Sequence, residues 1–361
     1  MKVEEHEQVP QIAAVGRALP ANYADQETLI SAFRRRWLEQ HYNLDRLEEL
    51  HRAVAVKGRH LALPISEYEQ LGSFGKRNET WARVGAQLGE AAVRSALEAA
   101  SLSPQEVDAF FFVTVTGVST PSLDAVLANR LRLRQDLKRT PIFGLGCVGG
   151  AAGTARAADY LRAFPNHVAV LLSVELCSLT LQREDLSVAN IIASGLFGDG
   201  AAAVVLRGGD REDGSRRSPR ILATRSVFYP DTERVMGWDL VEGGFKVVLS
   251  AKVPQVVARN IRHDVDSFLD EQRLQRTQIS HWLVHTGGPK VLKAFEAALE
   301  LPAAALERSW RSLGEVGNLS SASVLFVLGD LLDAGIARPG DYGLLLAMGP
   351  GFCSELILLQ W

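Results

Sequence analysis

Short apolar runs rich in Val, Leu and Phe alternate along the chain with longer segments of helical period. Apolar runs of this length favour buried strands, whereas apolar residues that recur every three or four positions favour helices packed along one face. The alternation of the two patterns predicts a layered α/β protein. We predict strands at residues 110–116, 168–176, 201–206, 281–285, 342–348 and 354–360, and helices at residues 79–100 and 251–274.

One polar segment interrupts this pattern. Residues 207–220 are almost all charged, Gly, Ser or Pro, and strands and helices are predicted on both sides of them. Such a composition is typical of an exposed connection. We therefore predict two halves of one compact body, residues 1–208 and residues 209–361.

The overall composition narrows the class of function. The 361 residues are 47% hydrophobic and 22% charged, with a formal net charge of -3, so no polybasic surplus favours nucleic acid or an anionic membrane. The first ten residues carry charges where a signal peptide needs an apolar stretch, and no run of about 18 uncharged apolar residues occurs. These features predict a cytosolic protein without membrane insertion.

The three cysteines, Cys147, Cys177 and Cys353, are too few and too scattered for a disulfide framework or a metal cluster with histidine. We therefore expect no metal. Cys147 lies within the Gly-rich residues 143–153, between an apolar segment and one of helical period. A helix that begins at such a turn directs free N–H groups and partial positive charge at the sulfur, which favours the reactive thiolate. The same local pattern also suits a buried structural cysteine.

Two further polar residues occupy similar junctions. His285 ends an apolar strand-like run, and Asn318 precedes an apolar helix or strand. Taken alone, His285 suits a satisfied core histidine and Asn318 suits a helix cap. Taken together, an Asn amide beside a His ring could stabilise an enolate oxygen.

The segments around Cys147 (GCVGG), His285 (HTGGP) and Asn318 (GNLSS) resemble the Cys, His and Asn motifs of the type III polyketide synthases, the chalcone and stilbene synthase family. Order and context match over nearly the whole chain. The resemblance implies that Cys147 takes an acyl group from acyl-CoA and that His285 and Asn318 decarboxylate malonyl-CoA. Repeated condensation and cyclisation would follow.

The resemblance also places a substrate cavity. Phe197, in the segment LFGDG, and Phe245 match the family's active-site phenylalanines, and Met348 stands where the family's GFGPG loop has phenylalanine. Small residues at the other cavity positions would leave room for a long alkyl starter. We therefore expect an alkylpyrone or alkylresorcinol product. The expected cavity residues are Phe197, Phe245, Cys177, Thr116, Thr120, Thr180 and Met348.

The resemblance further implies a thiolase fold, five-layered αβαβα with two similar halves, and a homodimer. The substrates would be small-molecule CoA thioesters, and no cofactor is expected. Basic residues in the early helical region would bind the CoA phosphates, and two glycines after His285 would flank the pantetheine arm. These CoA-binding candidates are Arg46, Arg52, Lys57, Arg59, Gly287 and Gly288.

Two alternatives share the Cys, His and Asn set. A ketoacyl synthase III-like enzyme would perform one condensation with an acyl carrier protein, and an inactive thiolase-fold scaffold would only bind acyl-CoA. The segment that contains Phe197 and the loop at residues 349–351 favour the polyketide synthase over the first. The intact trio of Cys147, His285 and Asn318 argues against the second.

Overall fold

The computed structural model describes residues 9–40, 43–211 and 218–361. The strands are β1 (Gln11–Ala18), β2 (Asn22–Asp25), β3 (Gly58–Leu61), β4 (Ala109–Thr114), β5 (Lys138–Phe143), β6 (Val168–Leu176), β7 (Asp199–Arg207), β8 (Arg220–Phe228), β9 (Met236–Val241), β10 (Gly244–Leu249), β11 (Ile279–Val284), β12 (Tyr342–Gly349) and β13 (Cys353–Gln360). The helices are α1 (Gln26–Gln40), α2 (Leu44–Arg52), α3 (Phe74–Ala99), α4 (Leu123–Leu131), α5 (Gly149–Ala163), α6 (Val188–Leu196), α7 (Val253–Glu271), α8 (Pro289–Leu299), α9 (Glu307–Val316) and α10 (Ser323–Ala334).

Among the described residues, nine strands form one continuous sheet in the order β11-β12-β13-β8-β1-β7-β6-β4-β5. Strands from the first half of the chain occupy one side of this order, and strands from the second half occupy the other. The two sets meet where β1 pairs with β8 at Gln11 and Arg220. Both halves thus contribute strands to one body.

The central strands β4, β6 and β7 are buried on both faces because helices cover both faces. In β4, Phe110 and Phe112 pack with residues of α3 and α4, whereas Phe111 and Val113 pack with residues of α5 and α10. Successive side chains of a strand point to opposite faces, so a run of Phe and Val is the pattern expected for a doubly covered strand. The strands of the second half pack in the same way between the α5 and α10 layer and helices α7 and α8.

In the described part of the chain, the layers therefore run from α3 and α4 through the first-half strands of the sheet, α5 and α10, and the second-half strands of the same sheet to α7 and α8. This arrangement confirms the predicted five-layered αβαβα fold. The central helices can approach closely because α5 is rich in Gly and Ala. A Cβ on Gly150 would lie 2.1 Å from the carbonyl oxygen of Ser321, so the start of α5 contacts the segment that follows Asn318 directly.

Most predicted elements are found with shifted ends. The predicted strand at residues 168–176 matches β6, whereas β4 ends at Thr114, so Thr116 lies beyond it. Strand β11 ends at Val284, which leaves His285 as the first residue after the strand. The boundary between residues 208 and 209 stays a prediction, and part of the charged connection lies outside the described residues. No helix within the described ranges is both long enough and apolar enough to cross a membrane.

Candidate active site

Cys147 lies in a tight turn between β5 and α5. Gly144 has φ +96° and Gly146 has φ +52°, which are conformations that glycine adopts without steric cost. A Cβ on Gly146 would also lie 2.6 Å from Cδ of Pro350. The turn therefore packs against the loop between β12 and β13, and this contact fixes the position of Cys147.

The thiol of Cys147 is 4% exposed, and its Sγ lies 3.7 Å from Oγ of Ser320. Burial raises the pKa of Cys147 to about 12, although hydrogen bonds from the side chains of Ser320 and Asn318 act in the opposite direction. Burial thus opposes the thiolate that the helix N-terminus is predicted to favour. A thiolate at this position needs a group that accepts the proton and balances the charge.

Asn318 is held through its backbone beside Phe197. Its N–H donates to the carbonyl oxygen of Leu196 at 2.9 Å, and its own carbonyl oxygen accepts from the N–H of Gly198 at 3.0 Å. The two segments form a short parallel bridge between Phe197 and Asn318. Phe197 and Asn318 are therefore neighbours across this bridge, as the predicted catalytic and cavity roles require.

The amide orientation of Asn318 follows from its partners. Its Oδ1 accepts from the N–H of Ser320 at 2.8 Å and from the hydroxyl of Ser323 at 3.3 Å. Because these donors require the amide oxygen, the NH₂ group must be the side that serves Cys147, with which the side chain also hydrogen-bonds. The site thus contains a fixed, neutral N–H donor next to the nucleophile.

His285 follows β11, and its N–H donates to the carbonyl oxygen of Leu346 at 2.9 Å. The side chain is buried, and neither ring nitrogen has a hydrogen-bond partner among the described residues. Burial lowers the pKa of His285 to about 4, so the ring is neutral near pH 7. A buried imidazole with two unpaired nitrogens is costly, and a bound substrate would supply the missing partners.

The segment that carries His285 approaches Asn318 through Leu196. A Cβ on Gly288, which has φ +121°, would lie 3.5 Å from Cδ2 of Leu196. Leu196 in turn supplies the carbonyl oxygen that accepts the Asn318 N–H. Gly288 thus lies near the segment that holds Asn318, and the role of Gly287 and Gly288 beside the pantetheine arm stays a prediction.

A pocket of about 370 Å³ lies beside Phe197. Three of the predicted cavity residues, Cys177, Thr180 and Phe197, line it, whereas the three predicted catalytic residues do not. The bridge between Phe197 and Asn318 connects the pocket with the candidate catalytic residues. Residues of α1 and of residues 65–69, which form part of its wall, were not among the predicted site residues.

The remaining predicted cavity residues do not line this pocket. Phe245 is buried against Phe74, with ring centroids 5.5 Å apart. Thr116 is buried and donates its hydroxyl hydrogen to Glu175 at 2.9 Å. Thr120 is exposed in the loop between β4 and α4, and Met348 is buried near the end of β12.

The structure contradicts one predicted CoA-binding residue. Arg59 is 2% exposed, and its guanidinium donates to the carbonyl oxygens of Ser194 and Gly195 at the end of α6. A cation there satisfies free carbonyl groups and the negative end of the helix dipole, so Arg59 stabilises α6 from inside the protein. The basic residue was assigned to CoA because sequence alone does not show on which side of β3 it lies.

The other basic candidates are on the surface. Arg52 forms an ion pair with Glu27 at 2.8 Å, and Arg46 forms one with Glu49 at 3.2 Å. Lys57 is exposed, and its backbone N–H donates to Gly314. Their role in binding CoA stays a prediction.

Sequence analysis missed Glu175. This carboxylate is fully buried and accepts from the hydroxyls of Thr116 and Ser321 and from the N–H of Val115. Burial raises its pKa to about 7, and its charge acts on Cys147. The sequence signal that could have identified Glu175 was that it is the single acidic residue within the apolar run of β6.

Within the described residues, no group of three or more His, Cys, Asp or Glu side chains is arranged to hold a metal ion.

Comparison with known proteins agrees with this geometry. The family model "Chalcone and stilbene synthases, N-terminal domain" matches residues 3–210, and the corresponding C-terminal model matches residues 220–361. The 1,3,6,8-tetrahydroxynaphthalene synthase of Streptomyces peucetius subsp. caesius is 51% identical over 97% of this chain and 93% of that protein. A putative chalcone synthase of Bacillus subtilis (strain 168) is 38% identical over 97% of this chain and 98% of that protein.

Solved structures show the same relationship. The crystal structure of 1,3,6,8-tetrahydroxynaphthalene synthase from Streptomyces coelicolor A3(2), a bacterial type III polyketide synthase, is 30% identical with a TM-score of 0.91. The match covers 97% of this chain and 99% of that chain. Both halves of the chain and its layers thus agree with one family. The chain belongs to the chalcone and stilbene synthase family and is a type III polyketide synthase, an acyltransferase.

Proposed function

We propose that this enzyme condenses malonyl units on Cys147 and cyclises the chain to a polyhydroxylated aromatic product. The observation that carries the proposal is the buried His285, whose two ring nitrogens lack partners among the described residues and whose segment reaches that of Asn318 through Leu196. We propose that His285 and the fixed Asn318 amide bind the carbonyl oxygen of a thioester. The Asn318 side chain also interacts with the nucleophile Cys147.

Loading begins when the sulfur of Cys147 attacks the carbonyl carbon of a CoA thioester. The new S–C bond replaces the bond to CoA, and the CoA thiolate leaves. The thiol proton must move first, because burial holds Cys147 in the neutral form. The neutral ring of His285 accepts this proton and then returns it to the departing CoA.

Extension follows when malonyl-CoA loses CO₂ in the same site. The electron pair of the broken C–C bond moves onto the thioester oxygen, where the Asn318 NH₂ and an N–H of His285 stabilise the enolate. A neutral imidazole suits this step, because it donates a hydrogen bond without protonating the enolate carbon. That carbon attacks the thioester on Cys147, so that the new C–C bond replaces the bond to sulfur and the Cys147 thiolate leaves. The lengthened chain is then bound to CoA and can be reloaded onto Cys147.

The chemistry of the pocket informs the product. Tyr68, Ser178, Gln182 and Asn190 contribute polar groups to its lining, together with Leu and Phe side chains from α1. A long alkyl chain would cover these polar groups without offering them hydrogen bonds, which is unfavourable. A chain with an oxygen on alternate carbons offers such partners, so we favour it over the alkyl product predicted from sequence.

The relatives support the same product class. The 51% identical relative is named for 1,3,6,8-tetrahydroxynaphthalene, and a 34% identical relative from Pseudomonas fluorescens is named phloroglucinol synthase. Both compounds carry oxygens on alternating carbons of aromatic rings, which is the pattern that head-to-tail two-carbon units leave. We propose malonyl-CoA as the source of both the starter and the extender units.

We also propose a homodimer that forms through β5. This strand is at the edge of the sheet and is largely exposed, so its unpaired backbone groups are open to a second strand. Phe143 and Val118 nearby are 52% and 41% exposed, which gives the surface an apolar patch next to the Cys147 turn. Light scattering on the purified protein measures its mass in solution, and the mass of a monomer would contradict the proposed homodimer.

The free Cys147 thiol and the CoA substrates suit the cytosol, where we propose the enzyme acts.

The product is tested by incubation with isotope-labelled malonyl-CoA as the sole substrate, followed by mass spectrometry of the extracted products. We expect labelled aromatic polyketide and none from a Cys147→Ala variant. A second reaction includes a long-chain acyl-CoA. Alkylpyrones as the main product of that mixture, with no aromatic product from malonyl-CoA alone, would contradict the proposed product class, and strict dependence on an acyl carrier protein would contradict CoA loading.

A further inference from the structure

Two hydroxyl groups meet in the lining of the pocket. The phenolic oxygen of Tyr68 lies 2.5 Å from Oγ of Ser178, and both residues line the pocket. Tyr68 comes from the short helical turn at residues 65–70, whereas Ser178 directly follows the cavity residue Cys177. The pair therefore joins the two opposite walls of the pocket.

The direction of the hydrogen bonds is determined by Asp199. Its carboxylate accepts the hydroxyl hydrogen of Ser178, the backbone N–H of Ser178 at 2.8 Å and the N–H of Ala62 at 2.6 Å. Since Ser178 has one hydroxyl hydrogen and donates it to Asp199, Tyr68 must be the donor to Ser178. The order of donation is thus Tyr68 to Ser178 to Asp199.

The charges around the pair favour this order. Burial raises the pKa of Asp199 to about 6, although the hydrogen bonds from Ser178 and Ala62 and the positive charge of the buried Arg59 favour its ionised form, so the carboxylate is mostly ionised near pH 7. The remaining contact of the Tyr68 oxygen is a long hydrogen bond from the N–H of Leu63, at 3.4 Å. Tyr68 and Ser178 each keep an oxygen lone pair that can accept a hydrogen bond from a molecule in the pocket.

We propose that Tyr68 and Ser178 form a subsite that accepts hydrogen bonds from enol or phenol hydroxyls of the extended chain, and that this contact selects the aromatic product. The inference rests on the proposed function, because only a chain with alternating oxygens carries such hydroxyls. β-Dicarbonyl units enolise readily, so a growing chain offers O–H donors at regular intervals. An alkyl chain offers none.

The subsite holds the part of the chain that lies away from the thioester. Phe197 lines the same pocket and is bridged to Asn318, so the thioester end belongs on that side. A chain that is fixed at both ends has fewer conformations, and ring closure between its inner carbons is then favoured over early release. Loss of the subsite should therefore change which product is released more than it changes how fast malonyl units are consumed.

The test compares Tyr68→Phe with the wild-type enzyme and malonyl-CoA as the sole substrate. The variant keeps the aromatic ring and removes the hydroxyl. We expect the ratio of aromatic product to shorter pyrones to fall about five-fold, as the loss of one hydrogen bond predicts, while CO₂ release stays within about two-fold. Tyr342→Phe, at the start of β12 and away from the pocket, is the matched control and should leave the ratio unchanged.

Ser178→Ala provides a second variant if Tyr68→Phe folds poorly, as judged by thermal melting, and it should shift the ratio in the same direction. An unchanged ratio in a folded variant, with aromatic product from the wild-type enzyme, overturns the subsite and leaves the proposed function intact. A wild-type enzyme that makes no aromatic product from malonyl-CoA overturns both. The two failures are therefore distinguishable from the wild-type reaction alone.

Discussion

The substitution Asn318→Asp isolates the amide donor from the fold around it. Oδ1 of Asn318 accepts two hydrogen bonds, from the N–H of Ser320 at 2.8 Å and from the hydroxyl of Ser323 at 3.3 Å. Aspartate has the same shape and keeps an oxygen for both donors. It replaces the NH₂ group with a second oxygen, so the enolate loses one hydrogen-bond donor.

The expected magnitude follows from the position of that donor. Removal of one preorganised donor from a developing oxyanion lowers kcat by about 10²–10³, or roughly 2.7–4 kcal/mol. An ionised carboxylate would also repel the enolate, so the effect should lie at the upper end. Asn318→Ala should lose similar activity but also stability, because the two buried donors lose their acceptor at about 1–3 kcal/mol each.

The assay is the release of labelled CO₂ from malonyl-CoA, measured together with the melting temperature. We expect Asn318→Asp to lose at least about 100-fold in rate and to melt closer to the wild-type temperature than Asn318→Ala does. Asn129→Asp, on the exposed face of α4, controls for the added charge and should leave the rate unchanged. An Asn318→Asp enzyme that releases CO₂ within about three-fold of the wild-type rate would refute the assigned amide orientation.

Three further predictions address the turn, the CoA surface and the buried histidine. Gly146→Ala should lower Cys147 acylation and the melting temperature more than Gly335→Ala, because both glycines have positive φ but only Gly146 would also collide with the loop before β13. Lys57→Ala should raise KM for malonyl-CoA at an unchanged melting temperature. Arg59→Ala should lower the melting temperature, because Arg59 is buried at the end of α6. A raised KM at an unchanged melting temperature in Arg59→Ala would instead restore Arg59 as a CoA ligand. Burial lowers the pKa of His285 from 6.5 to about 4, so the unfolded state binds more protons in that range and the fold loses stability as the pH falls from 6.5 to 4. The melting temperature of His285→Gln relative to the wild type should therefore rise as the pH is lowered across this window, and a constant difference would contradict the assigned burial of a neutral ring.

The hydrophobic pattern predicted a layered α/β protein, because strands and helices are visible in local periodicity, whereas the number of layers came from the family resemblance. The run in β6 is apolar on both faces, and a strand between two helical layers requires that pattern. Cys147, His285 and Asn318 were found for a related reason: each follows or precedes an element whose pattern is visible. Their motifs could then be compared as a set.

The wall of the pocket could not be predicted in this way. Tyr68 and Ser178 are 110 positions apart and meet only in the folded chain, where β3, which precedes Tyr68, contacts β7, and β7 pairs with β6, which precedes Ser178. The position of the Arg59 side chain could not be predicted either, since no local pattern shows that it turns inward toward α6. Phe245 was placed in the cavity by its motif, but packing against Phe74 determines where its ring lies.

The central claim is that Cys147 carries the acyl chain between condensations. Rapid quenching during turnover of malonyl-CoA, followed by mass spectrometry of the digested protein, measures this directly. We expect acyl masses that differ by two-carbon ketide units on the peptide that contains Cys147, and little acylation of that peptide when His285→Gln is used, because His285 accepts the thiol proton before loading. Continued product formation with no acyl adduct on Cys147, or with the adduct on Cys177 instead, would contradict the account.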